Sequence, residues 1–206
     1  MKQYNSRLQS FLLIFLFSLG LSITTFAQNQ TFAGFAINSE FLGNNTPRLG
    51  AGLTLEKKIK EHHGFETGVF YRNRISTNIV TIDLPLGENA MAVSTIYSSY
   101  VSVPLHYKYY SNLVNFSIGV NFDYFVGWTA TSSNPNIKLE SYSANPMLLW
   151  GISAKVSKSF RLSDCFILEP EIRLNPIVNI EPHTLSGGIG LIGKFDLSSI
   201  GKTKVK

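Results

Sequence analysis

The stretch from Val114 to Trp128 alternates apolar and polar residues along the chain. Every even position is apolar, and the odd positions are, in order, Asn, Ser, Gly, Asn, Asp, Phe and Gly. A period of two predicts one β-strand with two unlike faces. An apolar face turned inward would make a soluble sandwich or barrel, and an apolar face turned outward would make a membrane protein.

Similar alternating segments recur along the chain, with turn signals between them. Most match the roughly 9 to 11 residues of a tilted membrane-spanning strand, and several are longer. We therefore predict an all-β fold, an eight-stranded antiparallel up-and-down transmembrane β-barrel. The eight predicted strands cover about 32–42, 48–58, 64–76, 96–109, 114–128, 147–160, 166–177 and 187–197.

The predicted connections also differ in a regular way, because the second, fourth and sixth are all short. Short turns on one side and longer loops on the other are typical of outer-membrane barrels, with the turns in the periplasm. Both chain ends then lie in the periplasm. The longest predicted outer loops, about 77–95 and 129–146, are where a binding function would reside.

This topology sorts the side chains into an outward set that is almost uncharged and an inward set that carries the charges. The outward set is Leu53, Leu55, Phe65, Val69, Tyr71, Val101, Val103, Leu105, Tyr107, Tyr109, Trp150, Ile152, Val156, Leu168, Ile172, Leu174, Ile189, Leu191 and Phe195. The inward set is Glu56, Glu66, Arg72, Arg74, His106, Lys108, Asp123, Lys155, Glu169, Glu171, Arg173 and Lys194.

Aromatic residues favour the membrane interpretation over a soluble lipocalin-like carrier. Trp128 and Trp150 fall at the predicted outer rim, and several aromatic residues gather near the predicted periplasmic rim. Such belts mark the headgroup level of a bilayer. We therefore expect the even positions from Val114 to Val126 to face lipid and Trp128 to lie at the outer interface. Phe125 is the apolar exception on the inner face.

The first 27 residues have the layout of a secretory signal. Lys2 and Arg7 precede an uncharged apolar run from Phe11 to Ile23 and a small-residue site ending at Ala27. That run is too short to span a bilayer comfortably, and no cysteine follows the site to be lipidated. We expect residues 1–27 to be a signal peptide and residues 28–206 to be the barrel domain. The lone Cys165 cannot form an internal disulfide.

Net charge argues against a nucleic-acid partner. The whole chain carries 18 basic and 13 acidic residues, and removing Lys2 and Arg7 leaves an almost balanced mature chain with interspersed signs. The expected partners are outer-membrane lipid and, through loops or turns, other envelope or secretion proteins.

One part of the chain resembles the PorT-type outer-membrane β-barrel family of Gram-negative bacteria. In that family a strand with a V-P-L element precedes a very short turn and a glycine-containing strand that ends in an aromatic-glycine pair. The matching positions are Val103, Pro104, Leu105, Lys108, Tyr109, Gly119, Tyr124 and Gly127, with a signal ending at Ala27 and Gln28. The resemblance implies an outer-membrane barrel, allows a role in protein secretion or envelope assembly, and transfers no catalytic residue.

The inward charges are expected to pair with one another, because an eight-stranded barrel leaves just enough room for side chains. An unpaired ion in such a lumen would cost several kcal/mol. We expect a structural plug rather than a conducting path, formed by Arg72, Arg74 and Arg173 against Glu66, Asp123, Glu169 and Glu171.

Two sequence motifs could indicate a chemical activity. His183 beside Glu181 would be the only pair suitably placed for an outer-membrane hydrolase, but no nucleophile or second carboxylate accompanies it. GIGLIG at 188–193 matches a dinucleotide fingerprint without the helix that should follow. The sequence therefore predicts no enzyme activity and no catalytic, cofactor-binding or metal-binding residue.

Overall fold

The strands of this protein form one antiparallel sheet. The computed structural model describes residues 30–41, 48–83, 89–133, 146–179 and 184–198. Nine strands lie within these residues: β1 Thr31–Phe41, β2 Arg48–Lys60, β3 His63–Asp83, β4 Asn89–Tyr110, β5 Asn115–Ser132, β6 Leu148–Ser157, β7 Phe160–Arg161, β8 Phe166–Ile177 and β9 Thr184–Asp196.

The sheet closes on itself to form a barrel. Each strand from β1 to β5 pairs with the next, β9 pairs with both β1 and β8, and β6 pairs with β8. The closing pairs run from Gly151 opposite Ile177 to Ser157 opposite Glu171. β7 continues the line of β6 and pairs with the start of β8. The ring therefore contains eight strands, which confirms the predicted fold.

Burial alternates along the strands of the ring, as β6 shows most clearly. Leu148, Trp150 and Ile152 are exposed. Leu149 and every second residue after it, as far as Ser157, are buried. Apolar side chains cover the outside, and most of the buried side chains are polar or charged. The predicted direction of the two faces is thus confirmed, and a polar exterior around an apolar cavity is excluded. Val103, on the outer face, is buried rather than exposed.

The two ends of the barrel differ. At one end, here called the turn end, lie the two-residue turn Glu61–His62, the turn Ser111–Val114 and the connection between β6 and β8. The other end is called the loop end. The start of β1 and the end of β9 both lie at the turn end, where Phe32 pairs with Asp196.

The predicted outer loop 77–95 is wrong, because β3 and β4 run through most of it. The pairing of β3 with β4 continues to Asp83 opposite Asn89. The pairing of β2 with β3 already ends at Gly50 opposite Arg72. β5 accompanies β4 as far as Ser132 opposite Ser94. These extensions form a three-stranded ribbon beyond the loop end. At about 3.3 Å per residue, the part of β3 from 73 to 83 adds roughly 36 Å.

A β-bulge in β5 changes the face on which Trp128 lies. Tyr100 pairs with Phe125, and the next residue of β4, Ser99, pairs with Gly127, so that Val126 is the extra residue. One extra residue inverts the alternation beyond it. Trp128 therefore pairs with the buried Ser98, and its expected outward position at the interface is wrong.

Phe125 lies on the inner face, as the alternation predicted. It packs against a buried cluster of Tyr100, Leu149 and Ile177 near the loop end, and its ring meets that of Tyr100 edge to face at 5.7 Å. A second small apolar cluster inside the barrel contains Ala36, Phe70 and Ile192. Two apolar clusters thus lie within the otherwise polar lumen.

Several predictions fall outside the described residues. They are the signal peptide at 1–27, most of the outer loop 129–146, and the pair Glu181 and His183. Within the part of the chain that is described, no helix is long and apolar enough to span a membrane.

Candidate functional site

The centre of the lumen holds a cluster of two lysines and two glutamates, here called the lysine cluster. Lys108 Nζ donates to Glu56 Oε2 at 2.9 Å and to Glu169 Oε1 at 2.5 Å. Lys194 Nζ donates to Glu169 Oε2 at 2.6 Å and also to Glu56 Oε2. Lys108 has an exposed fraction of 0%. Each lysine therefore bridges both carboxylates, away from solvent.

The barrel positions these four side chains from four different strands. Glu56 lies on β2, Lys108 on β4, Glu169 on β8 and Lys194 on β9, each at an inward position of the alternation. Lysine is long and flexible enough to reach across a narrow lumen. The cluster therefore connects opposite walls of the ring.

Neutral hydroxyls occupy the remaining acceptor sites of these glutamates. Tyr110 Oη donates to Glu56 Oε1 at 2.6 Å. Ser157 and Ser159 donate to the two oxygens of Glu169 at 2.6 and 2.9 Å. Full hydrogen bonding is what makes buried ion pairs tolerable, since each desolvated charge would otherwise be left short of partners.

A second group of ions lies next to the lysine cluster. Lys155 binds Glu66 and lies 3.1 Å from Glu171 Oε2, and Arg173 binds Glu171. Glu66 Oε2 is 3.7 Å from Lys108 Nζ, which joins the two groups. A side chain at Gly190 would come within 2.6 Å of Glu171 Oε1. This glycine therefore leaves the space that Glu171 occupies.

A third group lies toward the loop end. Arg72 lies 3.2 Å from Glu40 and 4.0 Å from Asp123, and Arg74 donates to Asp123 at 2.5 Å. Asn175 donates to Glu40 Oε1 at 2.9 Å. The three groups together are called the lumen network.

The lumen network is electrically balanced. Its described members are six carboxylates, on Glu40, Glu56, Glu66, Asp123, Glu169 and Glu171, and six cations, on Arg72, Arg74, Lys108, Lys155, Arg173 and Lys194. Equal numbers of opposite charges avoid a net buried charge, which would be costly in a low-dielectric interior.

The predicted arginine network is confirmed only in part. Arg72 and Arg74 meet Asp123, and Arg173 meets Glu171. Glu66 and Glu169, which were also assigned to arginines, are bound by lysines instead. The alternation placed these lysines inside, but their partners depend on the stagger between strands far apart in the chain.

Three carboxylates of the network come close enough to suggest a metal site. Oxygen atoms of Glu56, Glu66 and Glu169 lie within 4.8 Å of one another. Lys108 Nζ lies within 3.7 Å of an oxygen of each of the three. The lysine ammonium thus already supplies the positive charge that a metal ion would bring, so we assign these residues to ion pairing.

The other candidate residues are dispersed. His62 and His63 lie at the β2–β3 turn, where the Nδ1 atoms contact the Tyr110 carbonyl oxygen and the Tyr107 hydroxyl, and His106 faces the lumen. The segment 188–193 lies within β9, with no helix after it among the described residues, so it is a strand of the barrel wall. Cys165 is exposed between β7 and β8.

Comparison with solved structures found small bacterial barrels. Ail, the attachment invasion locus protein of Yersinia pestis, is 12% identical with a TM-score of 0.45, over 81% of this chain and 96% of its own. Neisserial surface protein A is 13% identical with a TM-score of 0.44, over 82% and 96%. The N-terminal β-barrel domain of Pseudomonas aeruginosa OprF is 10% identical with a TM-score of 0.45, over 82% and 100%.

No family model matches the chain, and no curated protein matches it. The assignment of the fold rests on the strand pairing and the burial pattern. A closed antiparallel ring of eight strands with an apolar exterior and a polar interior is the architecture of a small outer-membrane β-barrel.

Proposed function

We propose that this protein is a small non-enzymatic barrel of the bacterial outer membrane, in which a filled lumen supports a projecting binding or assembly surface. The observation that carries the proposal is the direction of the two faces. Leu53, Ile37 and Ile172 expose 69%, 57% and 64% of their surface on the outside. Apolar exposure of this extent around a closed ring suits lipid rather than water.

The lumen network supports a structural role for the interior. Lys108 and Lys194, from the opposite strands β4 and β9, both bind Glu56 and Glu169, and the cluster of Tyr100, Phe125, Leu149 and Ile177 lies toward the loop end. Both features fill the path that a solute would take. We therefore propose a plugged lumen, with no conduction through the barrel.

The ribbon formed by the extensions of β3, β4 and β5 supports a role in binding or assembly. Among the described residues, the pairing of β3 with β2 ends at Arg72, and the pairing of β5 with β6 ends at Tyr124. Strand edges with unpaired backbone groups can accept another strand. The resemblance to the PorT-type family suggests envelope or secretion proteins as partners, and membership of that family is part of this proposal.

Cell fractionation combined with gel mobility tests the membrane proposal. We expect the full chain to fractionate with outer membranes and to migrate differently on denaturing gels before and after heating, because a closed barrel resists detergent until heated. Recovery as a soluble periplasmic protein with one mobility would contradict the proposal.

A shortened variant separates the ribbon from the barrel. Replacing residues 77–95 by a two-residue Asn-Gly turn removes most of the β3–β4 extension. The pairing of β3 with β4 between Arg72 and the turn end stays intact. We expect unchanged heat-dependent mobility and loss of the partners that crosslink to the full chain in cells. The matched control exchanges residues 111–114 for another turn of equal length. Unchanged crosslinking after removal of the ribbon would assign the binding role elsewhere.

A further inference from the structure

One groove on the outside of the barrel combines an apolar bed with a cationic end. It lies near the turn end, across β2, β3, β4 and β5, and has a volume of about 850 Å³. Leu55, Phe65, Leu105, Tyr107 and Ile118 line it, and Lys57 lies at its end nearest the turn. It is called the Lys57 groove.

Thr67 forms the floor of the groove. Its hydroxyl donates to the carbonyl oxygen of Pro104 at 2.8 Å, so the side chain lies against the wall of the barrel. The larger side chains beside it stand out: Phe65, Leu105 and Ile118 expose 56%, 49% and 58% of their surface. The small side chain of Thr67 between larger apolar side chains leaves a channel suited to a hydrocarbon chain.

Aromatic contacts hold the end of the groove in place. The rings of Phe65 and Tyr107 meet edge to face at 5.8 Å, and His63 Nδ1 contacts the Tyr107 hydroxyl. Lys60 is the cross-strand partner of His63. Tyrosine, histidine and lysine are residues that suit the headgroup level of a bilayer.

Charge at the turn end favours an anionic ligand. In the described residues, the exposed and half-buried side chains at the end of β2, in the β2–β3 turn and in the connection between β6 and β8 include five cations and two acids. They are Lys57, Lys58, Lys60, Lys158 and Arg161, with Glu61 and Asp164.

Two other exterior grooves lack this combination. The groove around Ile37, Leu49 and Tyr71 has no charged residue in its lining. The groove around Phe116 and Ile172 includes Lys155 and Arg173, whose side chains belong to the lumen network. Only the Lys57 groove, of these three, offers an outward cation at headgroup level.

We propose that the Lys57 groove is a binding site for an anionic phospholipid of the inner leaflet, with an acyl chain along the apolar bed and the phosphate beside Lys57 and Lys60. This inference rests on the proposed membrane function, because the groove meets acyl chains only if the exterior faces lipid. Lysine binds phosphate as a point charge, and a lysine near an anionic surface contributes about fivefold in affinity.

Lipid retention by the folded full chain tests this site. The protein is equilibrated with phosphatidylglycerol and phosphatidylcholine of identical acyl chains, and the lipids that copurify are quantified by mass spectrometry. We expect phosphatidylglycerol to be enriched. The double variant Lys57→Gln with Lys60→Gln is expected to lower that enrichment about tenfold or more.

Two matched variants separate a site from diffuse attraction. Lys158→Gln with Arg161→Gln removes the same charge from the same end and should change the enrichment less than twofold. Val120→Trp adds bulk at the lining of the groove and should reduce retention without a change in charge. Equal losses in the two charge variants, or no enrichment with the wild-type chain, would overturn the site.

The same preparation distinguishes this inference from the proposed function. If the wild-type chain lacks heat-dependent mobility and does not enter vesicles, both are wrong. If it inserts and shows that mobility but retains both lipids equally, only the lipid site is wrong.

Discussion

Lys108 shows how the chemistry of one residue determines the interior of this barrel. Its ammonium group lies among Glu56, Glu66 and Glu169 with no solvent exposure. The parity of the strand predicted that it faces inward. Which acids it meets was not predictable, because Glu56 and Glu169 are 52 and 61 residues away along the chain.

Replacing Lys108 tests the lysine cluster. Lys108→Met keeps most of the side-chain volume but leaves a net negative charge in the lumen. We expect a loss of about 3 to 5 kcal/mol in the free energy of unfolding, measured by urea denaturation in lipid vesicles. Lys158→Met, at the exposed turn end, is the control and should change stability by less than about 0.5 kcal/mol.

A charge-balanced double variant shows whether the loss comes from the unpaired charge. Lys108→Met with Glu169→Gln restores neutrality, so we expect it to be more stable than Lys108→Met alone. If the double variant loses the sum of the two single losses, the two residues do not act as a pair.

Leu53 tests the outer face at the level of one residue. It lies near the middle of β2 with 69% of its surface exposed. In water an exposed leucine could be replaced by arginine at little cost, but at mid-membrane the change costs about 2 to 4 kcal/mol. We expect that loss for Leu53→Arg in vesicles, and almost none for Leu53→Met. Full stability of the arginine variant would mean that this face does not meet lipid.

Among the elements, β5 shows both the strength and the limit of interpretation from periodicity. From Asn115 to Phe125 the alternation gives the correct face for each residue. Beyond Val126 the bulge inverts it, so that Trp128 pairs with the buried Ser98. A bulge follows from pairing with another strand, and the local sequence still alternates through it. Periodicity also does not predict the extensions of β3 and β4, because the predicted outer loop 77–95 is mostly strand in the structure.

The two tryptophans report on this bulge separately. The chain contains only two, so Trp150→Phe leaves Trp128 and Trp128→Phe leaves Trp150. Trp150 lies on the outer face with 40% of its surface exposed. We expect brominated lipid to quench the fluorescence of Trp150 and to leave that of Trp128 almost unchanged. Strong quenching of Trp128 would place it on the outer face after all.

Deleting Val126 tests the cause of the inversion. Without the extra residue, Trp128 lies two positions after Phe125 in a regular strand and keeps its pairing with Ser98, so its side chain should remain on the inner face. In the Trp150→Phe background, quenching by brominated lipid is therefore expected to be low both with and without Val126. Strong quenching that is lost on deletion would mean that Val126 belongs to the regular alternation. Circular dichroism and heat-dependent mobility of the same sample check that the barrel remains closed.

For the whole molecule, the fold was largely predictable and the interior was not. Eight amphipathic segments and short alternate turns were enough to predict the closed antiparallel ring. Each strand must pair its backbone N–H and C=O groups with neighbouring strands and keep its apolar face out of water. The partners within the lumen network depend on the stagger of eight strands, which periodicity does not encode. Even so, parity alone places most of these charges inside, since all six cations and five of the six acids of the network belong to the predicted inward set.

The direction of the two faces is the central claim for the molecule, and a nitroxide scan along β5 tests it most directly. Cys165 is replaced by serine, and single cysteines at positions 116 to 123 carry the label in vesicles. We predict that molecular oxygen, which partitions into lipid, relaxes the label at the even positions and that the odd positions are shielded. Shielded even positions, with odd positions open to a water-soluble relaxation agent, would contradict the account.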